Sequence, residues 1–339
     1  MKTLTTCVSC GAKFEDQWWL CPDCGGSLEV KGGRLDKAAK HRGLSLGEGN
    51  TPLLRLNRLS EILGCDLWAK CEFVNPTGSF KDRGSVVELA VALSLGKTGV
   101  VCASTGNMAA SLSAYAARAG LPCKVVVPDA TPAGKLRQAV ICGAELIRVK
   151  GGYDECVGVA EQIAKDENYF LCGDYALRRE GQKSIGRELA RKGFDAFVIP
   201  VGNGTVGIAT IQGLVEAEDG KLPRFIGIQA KEINPIEEAW RTKSEIKAKS
   251  AGTTVASAMS VRNPLDGNMT LAWVAKTGGL LTTVTDESIE NARAMLARQE
   301  GLYVERTAAA GLAMLVRDRE QYIGQKLVII LTGSGLKDN

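Results

Sequence analysis

Residues 194–217 read FDAFVIPVGNGTVGIATIQGLVEA. Phe194–Val201 is an almost unbroken apolar run, as expected of a strand buried on both faces. Gly202, Asn203, Gly204 and Thr205 break it with a turn, and Val206–Ala217 continues as a segment of helical length. Strand, glycine turn and helix in that order build a parallel sheet. The alternation extends in both directions from here. Further strands are predicted at Gly99–Ser104, Cys123–Pro128, Glu145–Val149, Tyr169–Gly173, Arg224–Ala230, Leu280–Val284 and Lys326–Leu331. Helices are predicted at Asn107–Ala119, Thr131–Cys142, Asp154–Asp166, Gly181–Arg191, Asp286–Glu300 and Ala308–Asp318. The pattern is that of an α/β protein with largely parallel sheets.

Composition narrows the function. The chain has 339 residues, room for about two domains. At 45% hydrophobic and 24% charged it is neither disordered nor fibrous. Its 42 basic and 38 acidic residues leave a net charge of +4, too small a surplus to argue for a nucleic acid or membrane partner. No apolar run approaches the roughly 18 residues of a bilayer span. The opening MKTLTTCVSCGAKF has no apolar signal core, so a cytoplasmic protein is expected. The single histidine, His41, excludes a multi-histidine metal site. Any Ser-His or Cys-His mechanism would have to run through it.

Eleven cysteines in a chain read as cytoplasmic are thiols or metal ligands rather than disulfides. Cys65, Cys71, Cys102, Cys123, Cys142, Cys156 and Cys172 lie among apolar neighbours and read as buried small hydrophobes. The other four form two CxxC knuckles, Cys7–Cys10 and Cys21–Cys24, with ten residues between them. Gly11 and Gly25-Gly26 follow the knuckles and let the backbone turn so that amides point at sulfur. Four thiolates suit a closed, structural zinc site. A metal-free tail and a redox CxxC are the competing readings. The ribbon is expected to end near Gly32-Gly33.

Three polar turns fall at predicted strand ends, where open α/β sheets bind ligands. They are Ser104–Asn107, Gly202–Thr205 and Thr332–Gly335. Gly202-x-Gly204-x-x-Gly207 matches the dinucleotide fingerprint in form. The next strand, however, offers Gln229 rather than the acidic residue a ribose needs. Exposed amides, the Thr205 hydroxyl and a helix N-terminus still favour a phosphate, with a merely tight turn as the alternative. Lys81, in Asn75-Pro-Thr-Gly-Ser-Phe-Lys81-Asp-Arg-Gly84, stands at the start of a helix among small and apolar residues. Taken alone it would be a solvated surface charge. With a phosphate cradle elsewhere in the chain, it fits the Schiff-base lysine that pyridoxal phosphate (PLP) requires.

NPTGSFKDRG around Lys81, ASTGNMAAS around Asn107, EGQKS at Glu180–Ser184, PVGNGT at Pro200–Thr205, LTGSGLKD at Leu331–Asp338 and GNTPL at Gly49–Leu53 together resemble the threonine synthase family of fold-type II PLP enzymes. The resemblance covers nearly the whole chain. It implies two open twisted parallel-rich sheets with a small N-terminal zinc ribbon. It also implies a division into a ribbon over 1–33, a large PLP-binding domain over 34–95 and 176–339, and a small mobile domain over 96–175. Lys81 would hold PLP and move protons, and Asn107 would bond the ring 3′-oxygen. Gly202, Asn203, Gly204 and Thr205 would cradle the cofactor phosphate. Thr332, with Ser334 in reserve, would meet the ring nitrogen and leave it largely unprotonated. Ser104, Thr105, Gly106 and Met108 would grip the substrate carboxylate, and Arg178 would bind the leaving phosphate. Cys7, Cys10, Cys21 and Cys24 would hold zinc. The partners implied are a small amino-acid substrate and a second copy in a homodimer.

Several positions depart from the family pattern. Val206 replaces the last Asn of the cofactor loop, and Tyr175-Ala176 replaces an Asn-Pro before the Arg. Gly173 stands where a substrate-binding Ser is usual, Ser334 where a His is usual, and Glu305-Arg306 where an acidic-Pro pair is usual. The cofactor residues are intact and the substrate-phosphate residues altered. The expected activity is conversion of O-phosphohomoserine and water to threonine and phosphate. The alternative is β-elimination or replacement on O-phosphoserine or a hydroxy amino acid, as in a cysteate synthase or a serine/threonine dehydratase. A binding protein without catalysis and a dehydrogenase are the readings from other classes.

Overall fold

The computed structural model describes residues 3–16, 18–31, 35, 43–217, 220–249 and 252–338. His41, Gly32 and Gly33 lie outside the described residues. The chain divides into two compact units, one of residues 1–49, 75–182 and 339, the other of 50–74 and 183–338. The expected division placed residues 75–95 with the phosphate cradle. The contacts instead group them with 96–175, so Lys81 and Asn107 share a unit.

The first unit opens with a three-stranded antiparallel ribbon, ordered β2-β1-β3: β1 Leu4–Cys7, β2 Lys13–Glu15, β3 Leu28–Lys31. Its four-stranded sheet is entirely parallel, from β6 Gly99–Ala103, β7 Cys123–Pro128, β8 Glu145–Val149 and β9 Tyr169–Leu171 in the order β8-β7-β6-β9. Side chains alternate between its faces. Val100, Cys102, Val125 and Val127 pack with α2 Asp82–Ser94 and α3 Asn107–Ala119. Val101, Ala103 and Val126 pack with Cys156 and Ala160 of α5 Tyr153–Asp166. Both faces are covered, which is why the strands read as continuous apolar runs. A helix α4, Ala133–Ile141, completes the layer on the α3 side.

The second unit is built on a six-stranded sheet ordered β12-β11-β10-β13-β5-β4. Its strands are β4 Leu53–Arg55, β5 Asp66–Lys70, β10 Ala196–Pro200, β11 Arg224–Ala230, β12 Leu280–Val284 and β13 Lys326–Ile330. All pair in parallel except β4 on β5. Ala196, Val198, Ile226, Ile228, Leu327 and Ile329 form one core with α1 Asn57–Leu63, α10 Asp286–Glu300 and α11 Arg306–Arg317. Phe197 and Phe225 stack at 4.8 Å. Gly207, in α7 Thr205–Ala217, lies so close to the Phe225 ring that a Cβ there would overlap it. The third glycine of the fingerprint therefore serves helix–sheet packing.

The predicted strands recur with ends shifted by no more than two residues. Helix α6 runs Ala176–Leu189, five residues earlier than expected, and places Arg178 in its first turn. Strands β4 and β5 and helices α8 Pro235–Thr242 and α9 Gly267–Lys276 had no predicted counterpart. Of the seven scattered cysteines six are buried and Cys142 is half-buried. Burial pushes the Cys71 thiol up to about 12. No described helix is long and apolar enough to cross a membrane.

Candidate active site

Strand order places the flagged turns. In the first unit β6, β7 and β8 follow one another across the sheet, and β9 returns to the other side of β6. In the second, β10, β11 and β12 run one way and β13 lies on the other side of β10. Each is a topological switch point, where the chain leaves adjacent strands in opposite directions and opens a crevice at their carboxyl ends. Ser104–Asn107 and Gly173–Asp174 leave the β6/β9 pair. Gly202–Thr205 and Thr332–Gly335 leave the β10/β13 pair.

Lys81 immediately precedes α2. The loop before it is held by its own side chains. Gly78, at φ +85°, turns the chain where other residues would be strained, and its amide donates to Asn75 O at 2.7 Å. Asp82 accepts from the Thr77 amide at 2.7 Å and from the Thr77 hydroxyl. The Lys81 ammonium donates to Asp174 Oδ1 at 2.6 Å, a partner that the small neighbours in sequence gave no hint of. Asn107 opens α3, half-buried, and Met108 is buried behind it. Ser104 Oγ accepts from the Gly106 amide at 3.3 Å, which closes that turn.

Arg178, expected to bind the leaving phosphate, lies in the first turn of α6. It is fully buried, and its fork is used inside the protein. Nε donates to Gly173 O at 3.0 Å, Nη1 to Lys81 O at 3.2 Å and to Ser85 Oγ at 3.5 Å, and Nη2 to Glu88 Oε2. A guanidinium so engaged holds the Lys81 backbone. Burial acts to lower Arg178, but the Glu88 and Asp174 carboxylates outweigh it and raise it further. Burial pushes the Glu88 carboxyl up to about 7 against the pull of Arg178. Gly84 admits the Arg178 stem at a distance where a Cβ would meet its Cγ at 2.5 Å. Gly173 cannot become Ser without displacing Tyr175, whose ring occupies that space.

In the second unit Gly204 has φ +96°, and α7 begins at Thr205. The Asn203 side chain accepts from the Leu265 amide at 3.3 Å. A Cβ on Gly202 would stand 2.5 Å from Ala258 O. Thr332 is buried, and its hydroxyl donates to Glu305 Oε1 at 2.9 Å. Its one proton is thereby committed, a relationship absent from the expected neutral-hydroxyl arrangement. Ser334 Oγ accepts from the Leu336 amide at 3.3 Å.

Three hundred and thirty-nine residues with these features have relatives. A family model described as pyridoxal-phosphate dependent enzyme matches residues 44–333. The threonine synthase of Methanocaldococcus jannaschii is 37% identical over 99% of this chain and 93% of its own length. That of Methanosarcina acetivorans is 35% identical over 98% and 91%. The chain belongs to the threonine synthase family of PLP-dependent enzymes. Among solved structures, maize serine racemase superposes with a TM-score of 0.80 at 20% identity, covering 89% of this chain and 92% of that one. The processed form of threonine deaminase isoform 2 from Solanum lycopersicum gives 0.75 at 21%, covering 89% and 91%. The fold is thus fold-type II, and the family's activity is that of a PLP-dependent, threonine synthase-like lyase.

The residues present fit the family's cofactor. Among the described residues, the buried hydroxyls of Ser79, beside Lys81, and Thr205, at the head of α7, have no hydrogen-bond partner. A buried hydroxyl without a partner costs about 1–3 kcal/mol, which an anionic ligand would offset. The cysteine knuckles fit a metal. The four Sγ atoms lie within 4.8 Å of one another, with Cys7–Cys24 at 3.5 Å and Cys10–Cys21 at 3.7 Å. A tetrahedral zinc with Zn–S near 2.3 Å needs sulfurs about 3.8 Å apart. Gly11 and Gly25 take φ +75° and +70°, and the Ser9 amide donates to Cys7 Sγ at 3.4 Å. Burial acts to raise Cys7, but the Cys10 and Ser9 amides bring it down to about 6. The Gly26 amide acts to lower Cys24, yet the other knuckle sulfurs push it up to about 12.

Proposed function

We propose that this chain converts O-phosphohomoserine and water to threonine and phosphate. The observation that carries the reading is the family relationship, with threonine synthases matched over 99% of this chain and 93% of theirs. PLP, when bound, supplies a ring that draws electrons from the substrate Cα and lets its proton leave. Lys81 would hold the cofactor, and its Nζ would take and return the proton at Cα. Asp174 Oδ1, 2.6 Å away, accepts from the Lys81 ammonium and orients Nζ. Asn107 would donate to the ring 3′-oxygen, and the Gly202–Thr205 amides with Thr205 Oγ1 would hold the cofactor phosphate. Thr332, with Ser334 in reserve, would meet the ring nitrogen. Ser104, Thr105, Gly106 and Met108 would hold the substrate carboxylate. Arg178 positions Lys81. One zinc on Cys7, Cys10, Cys21 and Cys24, a homodimer and a cytoplasmic location complete the reading.

A second reading is supported by the charge around Lys81. Asp174 adds a carboxylate there, Glu88 occupies Arg178, and Tyr175 fills the place of a phosphate-binding Ser. These features disfavour a dianionic leaving group and favour β-elimination from a hydroxy amino acid. Titrating the PLP-loaded protein with O-phosphohomoserine, O-phosphoserine and serine in turn separates the two. Release of phosphate and threonine from O-phosphohomoserine alone establishes the first. Keto acid from serine, without turnover of O-phosphohomoserine, establishes the second. Loss of all turnover in Lys81→Ala is expected under both.

A further inference from the structure

The cysteine ribbon is docked on the segment that holds Lys81. Trp19 Nε1 donates to Leu171 O at 2.9 Å, and the Ala176 amide donates to Trp18 O at 3.2 Å. Arg179, buried, donates to Leu28 O at the start of β3. The rings of Trp18 and Trp19 pack on Phe170 at 5.9 and 5.6 Å between centroids. Trp18 is itself fixed by its Nε1 bond to Thr3 Oγ1 at 3.0 Å. These anchors, at residues 170, 171, 176 and 179, bracket Asp174 and Arg178. Asp174 meets Lys81 Nζ at 2.6 Å and Arg178 meets Lys81 O at 3.2 Å. Every link lies within one compact unit.

The ribbon cannot keep this shape by itself. Its strands have four, three and four residues, and its buried apolar set is little more than Cys7, Trp18, Cys21, Leu28 and Val30. Sheets of that size without metal or disulfide do not hold a core. Metal binding free energy in such sites is folding free energy. We propose that the metal-loaded ribbon is a positioning device for the reaction, with Trp18, Trp19 and Arg179 as positioning residues that set where Asp174 and Arg178 hold Lys81. The proposal rests on the reading that the four thiolates bind a divalent cation and that Lys81 carries PLP.

The test uses the full-length holoenzyme, with its metal content measured first. The metal is then removed with a chelator under reducing conditions. In parallel, Trp19→Phe keeps a ring against Phe170 and removes only the donor to Leu171. Hydrogen exchange over residues 168–182, the PLP dissociation constant and the pH midpoint of the PLP absorption band are followed. Chelation is expected to raise exchange over 168–182 and to weaken PLP binding by about tenfold or more, the scale of one or two lost buried hydrogen bonds. Trp19→Phe is expected to keep its metal and still shift the band's pH midpoint, which a merely structural ribbon would not do. Faster exchange confined to residues 3–31, with PLP affinity and pH midpoint unchanged, would overturn the proposal and leave the metal reading standing. A purified protein without metal would remove the metal reading and the proposal together, while the PLP band still tests Lys81.

Discussion

Asp174 holds the Lys81 ammonium at 2.6 Å from a position 93 residues further along the chain. Both side chains are about one-sixth exposed, so water screens the pair only partly. Asp174→Asn keeps the size and removes the charge. If this carboxylate repels a leaving phosphate, kcat/KM for O-phosphohomoserine relative to serine should rise by roughly tenfold, the factor that about 1.4 kcal/mol gives. Steady-state kinetics on the two substrates measure it. An unchanged ratio would show that Asp174 does not face the leaving group.

Thr205→Val should act in opposite directions on the two forms of the protein. Without ligand, the buried unpartnered hydroxyl is a liability, so its removal should leave stability unchanged or raise it by up to about 1 kcal/mol. With PLP, one hydrogen bond to the phosphate is lost and affinity should fall about tenfold. Thermal melts with and without PLP report both signs. A destabilised ligand-free protein would mean that the hydroxyl has a structural partner.

Gly181→Ala should destabilise the fold through backbone overlap. A Cβ at Gly181 would run into Arg83 O, where α6 crosses α2. Overpacking of a rigid contact typically costs about 1–3 kcal/mol, and here no flexible side chain can give way. Urea unfolding of the variant should show the loss, with reduced PLP occupancy because α2 carries Lys81 at its head. Gly134→Ala, in α4 with open space around it, is the control expected to be neutral.

Glu88 makes stability depend on pH. Its carboxyl is raised from 4.5 to about 7, chiefly by burial. Between those values the folded chain keeps a proton that the unfolded chain has released, so this group's contribution falls as pH rises across that window and is flat above it. Glu88→Gln keeps a neutral group of the same size beside Arg178 and abolishes that slope. The stability of the wild type relative to the variant should therefore be higher at pH 5 than at pH 8. An equal gap at both would mean that Glu88 titrates in its ordinary range.

Local pattern made much of this legible. Apolar runs located the central strands, because strands covered on both faces carry no polar alternation. Glycines at 78, 202 and 204 marked the loops, because positive φ or close approach excludes a Cβ there. The CxxC spacing drew four sulfurs together, because each knuckle is a short-range turn. Strand β5, Asp66–Lys70, escaped notice because five residues with a charge at each end do not stand out as a core strand. Helix α6 begins earlier than the pattern suggested because Arg178 and Arg179, charged residues in its first turn, are buried by partners far away in sequence.

What the sequence by itself determined is therefore the short-range part: the α/β pattern, the lysine at a helix head, the glycine cradle and the thiolate cluster. Each depends on residues within a few positions of one another, and the chain's stereochemistry dictates them wherever the segment ends up. What only the tertiary structure decided is which groups face those elements. Asp174 beside Lys81, Glu88 inside the Arg178 fork, Glu305 on the Thr332 hydroxyl and the ribbon on Phe170 all join residues at least 27 positions apart. Such pairings follow from strand order and helix packing, and no local spacing encodes them.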